Sequence, residues 1–335
     1  MAPLTAGGRG RGRAPVPLAY RLAGALLLVL GVVAVLALTP SAAHAWTPGT
    51  HVFIGEAVLG ALDLLPAAVA ALLRAYPHDF LYGSIAADTS IAKKYVPAGR
   101  HCHSWAVGGE ILERATDDRL RAFALGYQAH LAADAVAHNY FVPRQLAVTA
   151  STSALGHSYW ESRLETHLGD GPPRRARELI LLDHARADGH LDTILSPTIF
   201  STPTNRRIFR GMVHAADSES WQRVFAVMTE NSRWDLTDDE VEAQLARAFD
   251  YVIDWLRRGE RSEPFRLDPS GDEPLRAAKR VRRAALWDGG DPAVRREAER
   301  RFGLPTSALD YTRHLPGPLF TPRDAQPRAA RRAAR

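Results

Sequence analysis

The amino-acid sequence predicts an all-helical protein, and three observations support this fold class. Apolar residues recur at three- and four-residue spacing in most segments after residue 46. Alternating β-branched strands with tight turns are nearly absent. Breaks such as Gly171-Pro172-Pro173 separate the periodic segments from one another. We therefore expect a multi-helix bundle with a helical C-terminal extension and a disordered tail.

The periodic segments place the helices individually. The predicted helices cover residues 51–73 with a break at Pro66, 105–114, 119–140, 157–167, 177–191, 218–228 and 238–257. Residues 76–97 contain Pro77, Gly83 and Pro97, which predict a loop with short helical pieces. The helix over 119–140 is expected to end before Pro143, because proline cannot continue the helical hydrogen-bond ladder.

Composition sets broad limits on function. The 335 residues are 46% hydrophobic, which suits a globular protein, and the single cysteine, Cys102, excludes an intramolecular disulfide framework. The formal net charge is +5, with arginines concentrated between residues 276 and 335. A basic balance of this kind suits a membrane surface and a nucleic acid equally well, so charge alone does not identify a partner.

Residues 1–45 have the pattern of a signal peptide. Four arginines precede an uncharged, mainly apolar run over 22–38, and Ala43-His44-Ala45 then forms a small-x-small cleavage signature. Cleavage would export the protein, to the periplasm or the medium, and make Trp46 the mature N-terminus. The alternative is an uncleaved membrane anchor, since the apolar run approaches the ~20 residues that span a bilayer.

Two further regions follow the predicted signal peptide. Residues 46–260 are expected to form the helical domain. Residues 261–335 are rich in proline and arginine, and we expect loops, one short helix and a disordered end there.

The strongest chemical motif is His130-x-x-x-Asp134-x-x-x-His138. Steps of four residues keep all three side chains on one helix face, with a rise of ~6 Å per step. This spacing suits neighbouring metal ions, because the central carboxylate can offer one oxygen to each of two ions. The alternative is a buried His–Asp network without metal.

Similar residues accumulate along the same stretch of chain. His157 and Glu161 repeat the four-residue spacing, and His101-Cys102-His103 supplies two more imidazoles. The remaining candidates are His51 and Asp88. Each additional pair weakens the metal-free alternative, because uncompensated buried polar groups are costly. Nitrogen and oxygen donors without a thiolate cluster favour zinc.

These residues, in this order, resemble the bacterial zinc-dependent phospholipases C, to which the P1 and S1 nucleases are distantly related. Members of that family begin the mature chain at a tryptophan, followed by histidines, an aspartate, a His-x-x-x-Asp helix and a final His-x-x-x-Glu or His-x-x-x-Asp pair. The resemblance spans about residues 46–167. The matching positions are Trp46, His51, Asp88, His101 or His103, His130, Asp134, His138, His157 and Glu161.

The resemblance implies three zinc ions. The first would be held by the α-amine and carbonyl of Trp46, with His51 and Asp134. The second would take Asp134, His130, one of His101 and His103, and Asp88, and the third would take His138, His157 and Glu161. Two assignments stay open: either His101 or His103 is the ligand, and Asp88 is a ligand or a general base.

The implied function is zinc-dependent hydrolysis of phosphodiesters, with phospholipase C-type release of the phosphorylated head group. A hydroxide on the metal would attack phosphorus, with Asp88 orienting it. The alternatives are a P1-like single-strand nuclease or other phosphodiesterase, and a non-catalytic zinc-binding exported protein. The partners implied are a phospholipid or other phosphodiester substrate and peripheral membrane contact. No obligate protein partner is evident from the sequence.

Overall fold

The structure is a computed structural model that describes residues 46–90, 96, 100–149 and 153–322. The predicted signal peptide and the predicted disordered end at 323–335 lie outside these residues. The described residues form helices and loops with no strand among them, which confirms the all-α class. None of the helices in this part of the chain is long and apolar enough to cross a bilayer.

The described residues include thirteen α-helices, which carry the labels used below. They are α1 Pro48–Gly60, α2 Ala67–Ala75, α3 Pro77–Ala86, α4 Trp105–Glu113, α5 Asp118–Val136, α6 Val142–Thr149, α7 Ser153–Leu168, α8 Gly171–Ile180, α9 Ala185–Asp192, α10 Thr202–Ala216, α11 Glu219–Glu230, α12 Asp238–Arg258 and α13 Asp272–Phe302.

Prolines begin the first three helices. Pro48 and Pro77 occupy the first turns of α1 and α3, where a missing N–H costs nothing, and Pro66 is the N-cap of α2. The predicted break at Pro66 is therefore confirmed. The short helical pieces predicted within residues 76–97 include α3 over 77–86, which Pro77 begins and in which Gly83 serves helix packing.

Helix α5 is the central element and is buried along most of its length. It packs against α3, α4 and α12. The contact with α3 depends on Gly83 and Gly126, since a Cβ on either residue would lie 2.0 Å from a backbone carbonyl of the other helix. This close approach brings the C-terminal end of α3, and Asp88 just after it, beside His130 of α5.

A π-helical turn over Ala137–Phe141 joins α5 to α6. The prediction that the helix ends before Pro143 is wrong, since α6 continues from Val142. Pro143 has no N–H to donate to the carbonyl four residues earlier. The backbone accommodates the proline by one wide turn, a feature that is frequent at functional sites. His138 lies within this turn.

The C-terminal region is more ordered than the sequence predicted. Where one short helix was expected among loops, α13 spans 31 residues with a kink at Gly289 and Gly290. Small apolar residues such as Ala277, Val281 and Ala285 are buried, and α13 packs against α6. The abundant arginines obscured this pattern in the sequence. The boundary predicted at residue 260 stays a prediction.

Candidate metal centre

The predicted ligand side chains converge in the interior of the described fold. They come from α1, from the short turn after α3, from the segment before α4, and from α5, the π-turn and α7. Each has an exposed fraction of 5% or less, and they are His51, Asp88, His103, His130, Asp134, His138, His157 and Glu161. So many buried imidazoles and carboxylates need mutual compensation or a bound cation.

Asp134 lies at the centre of the first group. Its Oδ1 is 3.1 Å from His51 Nε2. Its Oδ2 is 2.9 Å from His103 Nε2 and 3.1 Å from His130 Nε2. The two carboxylate oxygens therefore face two different sets of imidazoles, which is the arrangement expected of a carboxylate shared by two metal ions.

Two backbone carbonyls orient the imidazoles of the α5 motif. His130 Nδ1 donates to the carbonyl of Ser84 at 2.8 Å, and His138 Nδ1 donates to the carbonyl of Pro269 at 2.5 Å. A carbonyl only accepts, so the proton of each neutral ring is on Nδ1 and the lone pair is on Nε2. Metal-binding histidines commonly have such a hydrogen bond on the second nitrogen.

The protonation states of this group suit cation binding. Burial first, and the neighbouring His130 second, bring the pKa of His51 down to about 4 against the opposing effect of Asp134 and Asp88. Burial raises the pKa of Asp134, but His130 and the imidazole nitrogens of His103 and His51 beside the carboxylate outweigh burial and hold it well below its usual range. A neutral imidazole and an ionised carboxylate at pH 7 are the forms that bind metal.

The residues fit a divalent cation better than a metal-free network. His130 Nε2 and His103 Nε2 lie 3.0 Å apart while both face Asp134 Oδ2. At most one proton fits between the two nitrogens. His51 Nε2 and both Asp134 oxygens are fully buried and make no well-aligned hydrogen bond within the described part of the chain. A cation among these atoms satisfies all of them.

His138, His157 and Glu161 form a second group. His157 Nε2 is 2.6 Å from Glu161 Oε1, and the His138 and His157 rings meet edge to face with centroids 5.1 Å apart. One ligand atom from each of the three residues lies within 4.8 Å of the others. His138 Nδ1 is also 3.9 Å from Asp134 Oδ2, so the two groups are adjacent.

Asp88 borders the first group. Its Oδ1 lies 3.3 Å from His103 Nε2 and 3.9 Å from His130 Nε2, and the residue is fully buried. Asp88 also has a ligand atom within 4.8 Å of those of His51 and His130. This position suits both roles that the sequence left open, ligand and general base.

The structure separates His101 from His103. His103 is 1% exposed and reaches the centre of the first group, whereas His101 is half-buried and its Nδ1 accepts from the backbone N–H of His103 at 3.1 Å. Cys102 between them is buried, and its sulfur lies 3.3 Å from His103 Nδ1. The geometry thus favours His103 as ligand and His101 as a residue that shapes the loop.

Trp46 lies beside the first group through its side chain. The indole is fully buried, stacks on Phe141 at 5.3 Å, and donates from Nε1 to the carbonyl of Ala133 at 3.0 Å. Ala133 immediately precedes Asp134. The described residues begin at Trp46, so its predicted free amine and its coordination stay predictions.

Glu165 holds the first turn of α1 close to this tryptophan. Its carboxyl accepts a hydrogen bond from the Thr47 hydroxyl, and a Cβ on Gly49 would collide with Glu165 Oε1. Burial raises the pKa of Glu165 to about 7, against hydrogen bonds from Thr47, Thr50 and Gly49 that lower it. The carboxyl therefore positions the N-terminal segment that leads to His51.

Sequence reasoning missed the residues that act through their backbone. Ser84 and Pro269 contribute carbonyls to His130 and His138, and a Cβ on Gly271 would lie 2.4 Å from the His138 carbonyl oxygen. Backbone groups have no side-chain pattern, so spacing cannot reveal them. The only local signal was the sequence Pro269-Ser-Gly271, which predicts a turn but does not predict that the turn lies beside His138.

Residues 50–195 match the family model of zinc dependent phospholipase C. This match confirms the family resemblance for a segment that includes every predicted ligand except Trp46. A distant relationship to the P1 and S1 nucleases stays a prediction. Searches among curated proteins and among solved structures found no significant match.

Proposed function

We propose that the chain is a zinc-dependent phosphodiester hydrolase that removes phosphorylated head groups from phospholipids. The observation that carries this proposal is Asp134, whose two oxygens face separate imidazole sets at 2.9 to 3.1 Å. The match to the zinc dependent phospholipase C family supports the choice of metal and substrate class.

Three zinc ions fit the donors that the structure brings together. The first two would share Asp134, with His51 on one side and His103, His130 and Asp88 on the other. The third would be held by His138, His157 and Glu161. Zinc bound in such sites supplies Lewis acidity to the phosphate oxygens and promotes ionisation of water near neutral pH.

The protein's own residues hold this centre in place. The Ser84 and Pro269 carbonyls fix the rings of His130 and His138. The fully buried Asp88 carboxylate, 3.3 Å from His103 Nε2, is placed to accept a proton from an attacking water if it does not itself bind metal. Asp88 is therefore the candidate catalytic base.

A nuclease is the main competing function, and one observation disfavours it. Single-strand nucleases need exposed aromatic rings on which bases stack. Of the aromatic residues near the site, Phe141 and Trp160 are each 1% exposed and pack in the core, while Tyr140 and Tyr159 are half-buried. The described residues thus offer a poor stacking surface beside the ligands.

Hydrolysis assays on the exported protein, saturated with zinc, separate these functions. We expect diacylglycerol release from phosphatidylcholine and no cleavage of single-stranded DNA. Cleavage of DNA alone would replace the lipid substrate with a nucleic acid. No cleavage of either substrate by a zinc-loaded protein would favour a non-catalytic zinc-binding role. Asp134→Asn, prepared in parallel, controls for contaminating hydrolases.

We also propose that removal of residues 1–45 completes the first zinc site by freeing the Trp46 amine. The buried indole and its bond to Ala133 keep residue 46 next to Asp134, which supports this. Export is tested by N-terminal sequencing of secreted or periplasmic protein, which should begin at Trp46. One extra residue left before Trp46 should abolish activity, and full activity would remove Trp46 from the ligand set.

A further inference from the structure

The helix α13 is a hairpin whose two arms meet at an exposed apex. Gly290, with φ of 67°, adopts a backbone conformation that favours glycine and turns the chain back on itself. Glu273 near the start lies 3.8 Å from Arg301 near the end, and Arg282 lies 3.8 Å from Asp291. We call residues 272–302 the C-terminal hairpin and residues 286–291 its apex.

The apex exposes large apolar side chains. Trp287 is 91% exposed and Leu286 is 39% exposed. An exposed tryptophan at a helix end contributes nothing to the core, and its ring is costly to leave in water. Tryptophan prefers the interfacial region of a bilayer, where the apolar ring is buried and the indole N–H stays hydrated.

A basic stripe runs along the first arm to this apex. Arg276, Lys279, Arg280 and Arg283 are all exposed and recur at three- and four-residue spacing, which continues to Trp287. The C-terminal hairpin contains nine Lys and Arg against six Asp and Glu, so its net charge of +3 is most of the chain's +5. Within the described part of the chain, Lys279 and Arg283 have no carboxylate within ion-pair distance.

The basic surface continues around the second arm. A groove of about 860 Å³ lies between this arm, α6 and α7, and five arginines are among its lining residues: Arg144, Arg233, Arg295, Arg296 and Arg300. The groove also contains Asp235, Glu240 and Glu299, so arginine is in excess. Charge of this sign and extent complements an anionic lipid surface, on which each basic residue adds to binding.

The C-terminal hairpin starts at the metal centre. Its N-cap, Gly271, lies against His138, since a Cβ at this position would come within 2.4 Å of the His138 carbonyl oxygen. Trp287 lies 16 residues further along, which corresponds to ~24 Å of helix. Docking at the apex would therefore hold the centre within a few tens of ångströms of the lipid surface.

We propose that the C-terminal hairpin docks the protein on anionic membranes, with Trp287 inserted at the interface and the basic stripe against lipid head groups. This inference rests on the proposed phospholipid substrate for its biological purpose, but docking can be measured without catalysis. It assigns a function to a segment that lies outside the family match over residues 50–195.

A label at the apex tests insertion directly. Cys102 is the single cysteine and is 2% exposed, so Trp287→Cys in the full chain can be labelled selectively with bimane. We expect a blue shift of bimane emission with vesicles of phosphatidylglycerol and phosphatidylcholine, and none with phosphatidylcholine alone. Val227→Cys, at a 58% exposed site on α11, is the matched control and should not shift. Because the label reports only its own position, a membrane anchor elsewhere in the chain does not produce this signal.

Charge substitutions test the basic stripe. Arg283→Gln should weaken binding to anionic vesicles about fivefold. This ratio corresponds to ~1 kcal/mol, the contribution of one basic residue near an anionic surface. Arg207→Gln on α10, an exposed arginine outside the C-terminal hairpin, is the control and should leave the response unchanged. Salt should weaken binding by wild type more than by Arg283→Gln.

Several outcomes would overturn the proposal. One is that the bimane label at position 287 shows no blue shift with anionic vesicles, and another is that the labels at 287 and 227 shift equally. A third such outcome is loss of the blue shift at position 287 when single-stranded DNA is added at the same salt concentration. Self-association that Trp287→Ala abolishes would identify a second copy of the chain as the partner. Hydrolysis of a monomeric short-chain phosphatidylcholine should be unchanged in Trp287→Ala, so failure of docking and failure of the phospholipase proposal are distinguishable.

Discussion

At the scale of single residues, Asp134 determines whether the site holds adjacent ions. Its oxygens divide between His51 on one side and His103 and His130 on the other. Asp134→Asn keeps the shape but removes the charge and one acceptor oxygen. We expect it to lose more than one zinc and over ~100-fold of activity, since changes outside the direct ligands already cost 10–100-fold. Metal content and kcat/KM measure this, and His157→Ala, which should lose a single ion, is the comparison. Equal losses in both variants would contradict a shared carboxylate.

The choice between His101 and His103 as the zinc ligand also belongs to this scale. The sequence offered both, whereas the structure places only His103 at the centre of the first group. We expect His103→Ala to lose a zinc ion and nearly all hydrolysis, and His101→Ala to retain the metal with a smaller loss of activity. Titration of zinc into each apo variant distinguishes them. The opposite order would move the ligand to His101.

At the scale of elements, the contact between α3 and α5 determines where Asp88 lies relative to His130. Gly83→Ala would place a Cβ 2.0 Å from the Phe123 carbonyl, so the helices must separate. We expect a loss of about 3 kcal/mol in the free energy of unfolding, which is at the upper end of the usual cost of overpacking a protein interior. The control is Gly109→Ala in α4, where a Cβ meets nothing within 4 Å. Because alanine suits a helix better than glycine, this change should raise the free energy of unfolding by about 0.5–1 kcal/mol. Denaturant unfolding measures both, and equal effects would contradict the close approach.

The segment before α13 is the second element that shapes the centre. Gly271 and Gly259 both have positive φ, of 57° and 55°, but only Gly271 abuts His138. Alanine at either position should cost about 1–2 kcal/mol of backbone strain. We expect Gly271→Ala additionally to lose the zinc held by His138, His157 and Glu161, as measured by metal content. Retention of that zinc would show that the contact does not hold His138.

Helices and ligands were predictable from the sequence where the pattern was strong. The His130, Asp134 and His138 spacing indicated one buried helix face, and the structure brings these residues within reach of each other. The π-turn at His138 was not predictable, because Pro143 indicated a helix end rather than a wider turn. A helical C-terminal extension was expected, but the length of α13 was missed, because its buried alanines lie between arginines that resemble a solvated tail.

At the scale of the whole molecule, the centre joins distant parts of the chain. His51 comes from the first helix, Asp134 from the central helix, and the carbonyl that orients His138 from Pro269 near the start of the C-terminal hairpin. Zinc that binds only the folded chain would therefore stabilise the whole described bundle. The number of zinc ions bound per chain tests the centre that these elements are proposed to surround.

Metal analysis of the purified protein tests this central claim most directly. Purified protein is dialysed at pH 7, and its zinc is counted per chain by mass spectrometry against a protein concentration from amino-acid analysis. We predict three zinc ions per chain. A count of two would contradict the third site, and fewer than two would contradict the adjacent-ion centre around Asp134.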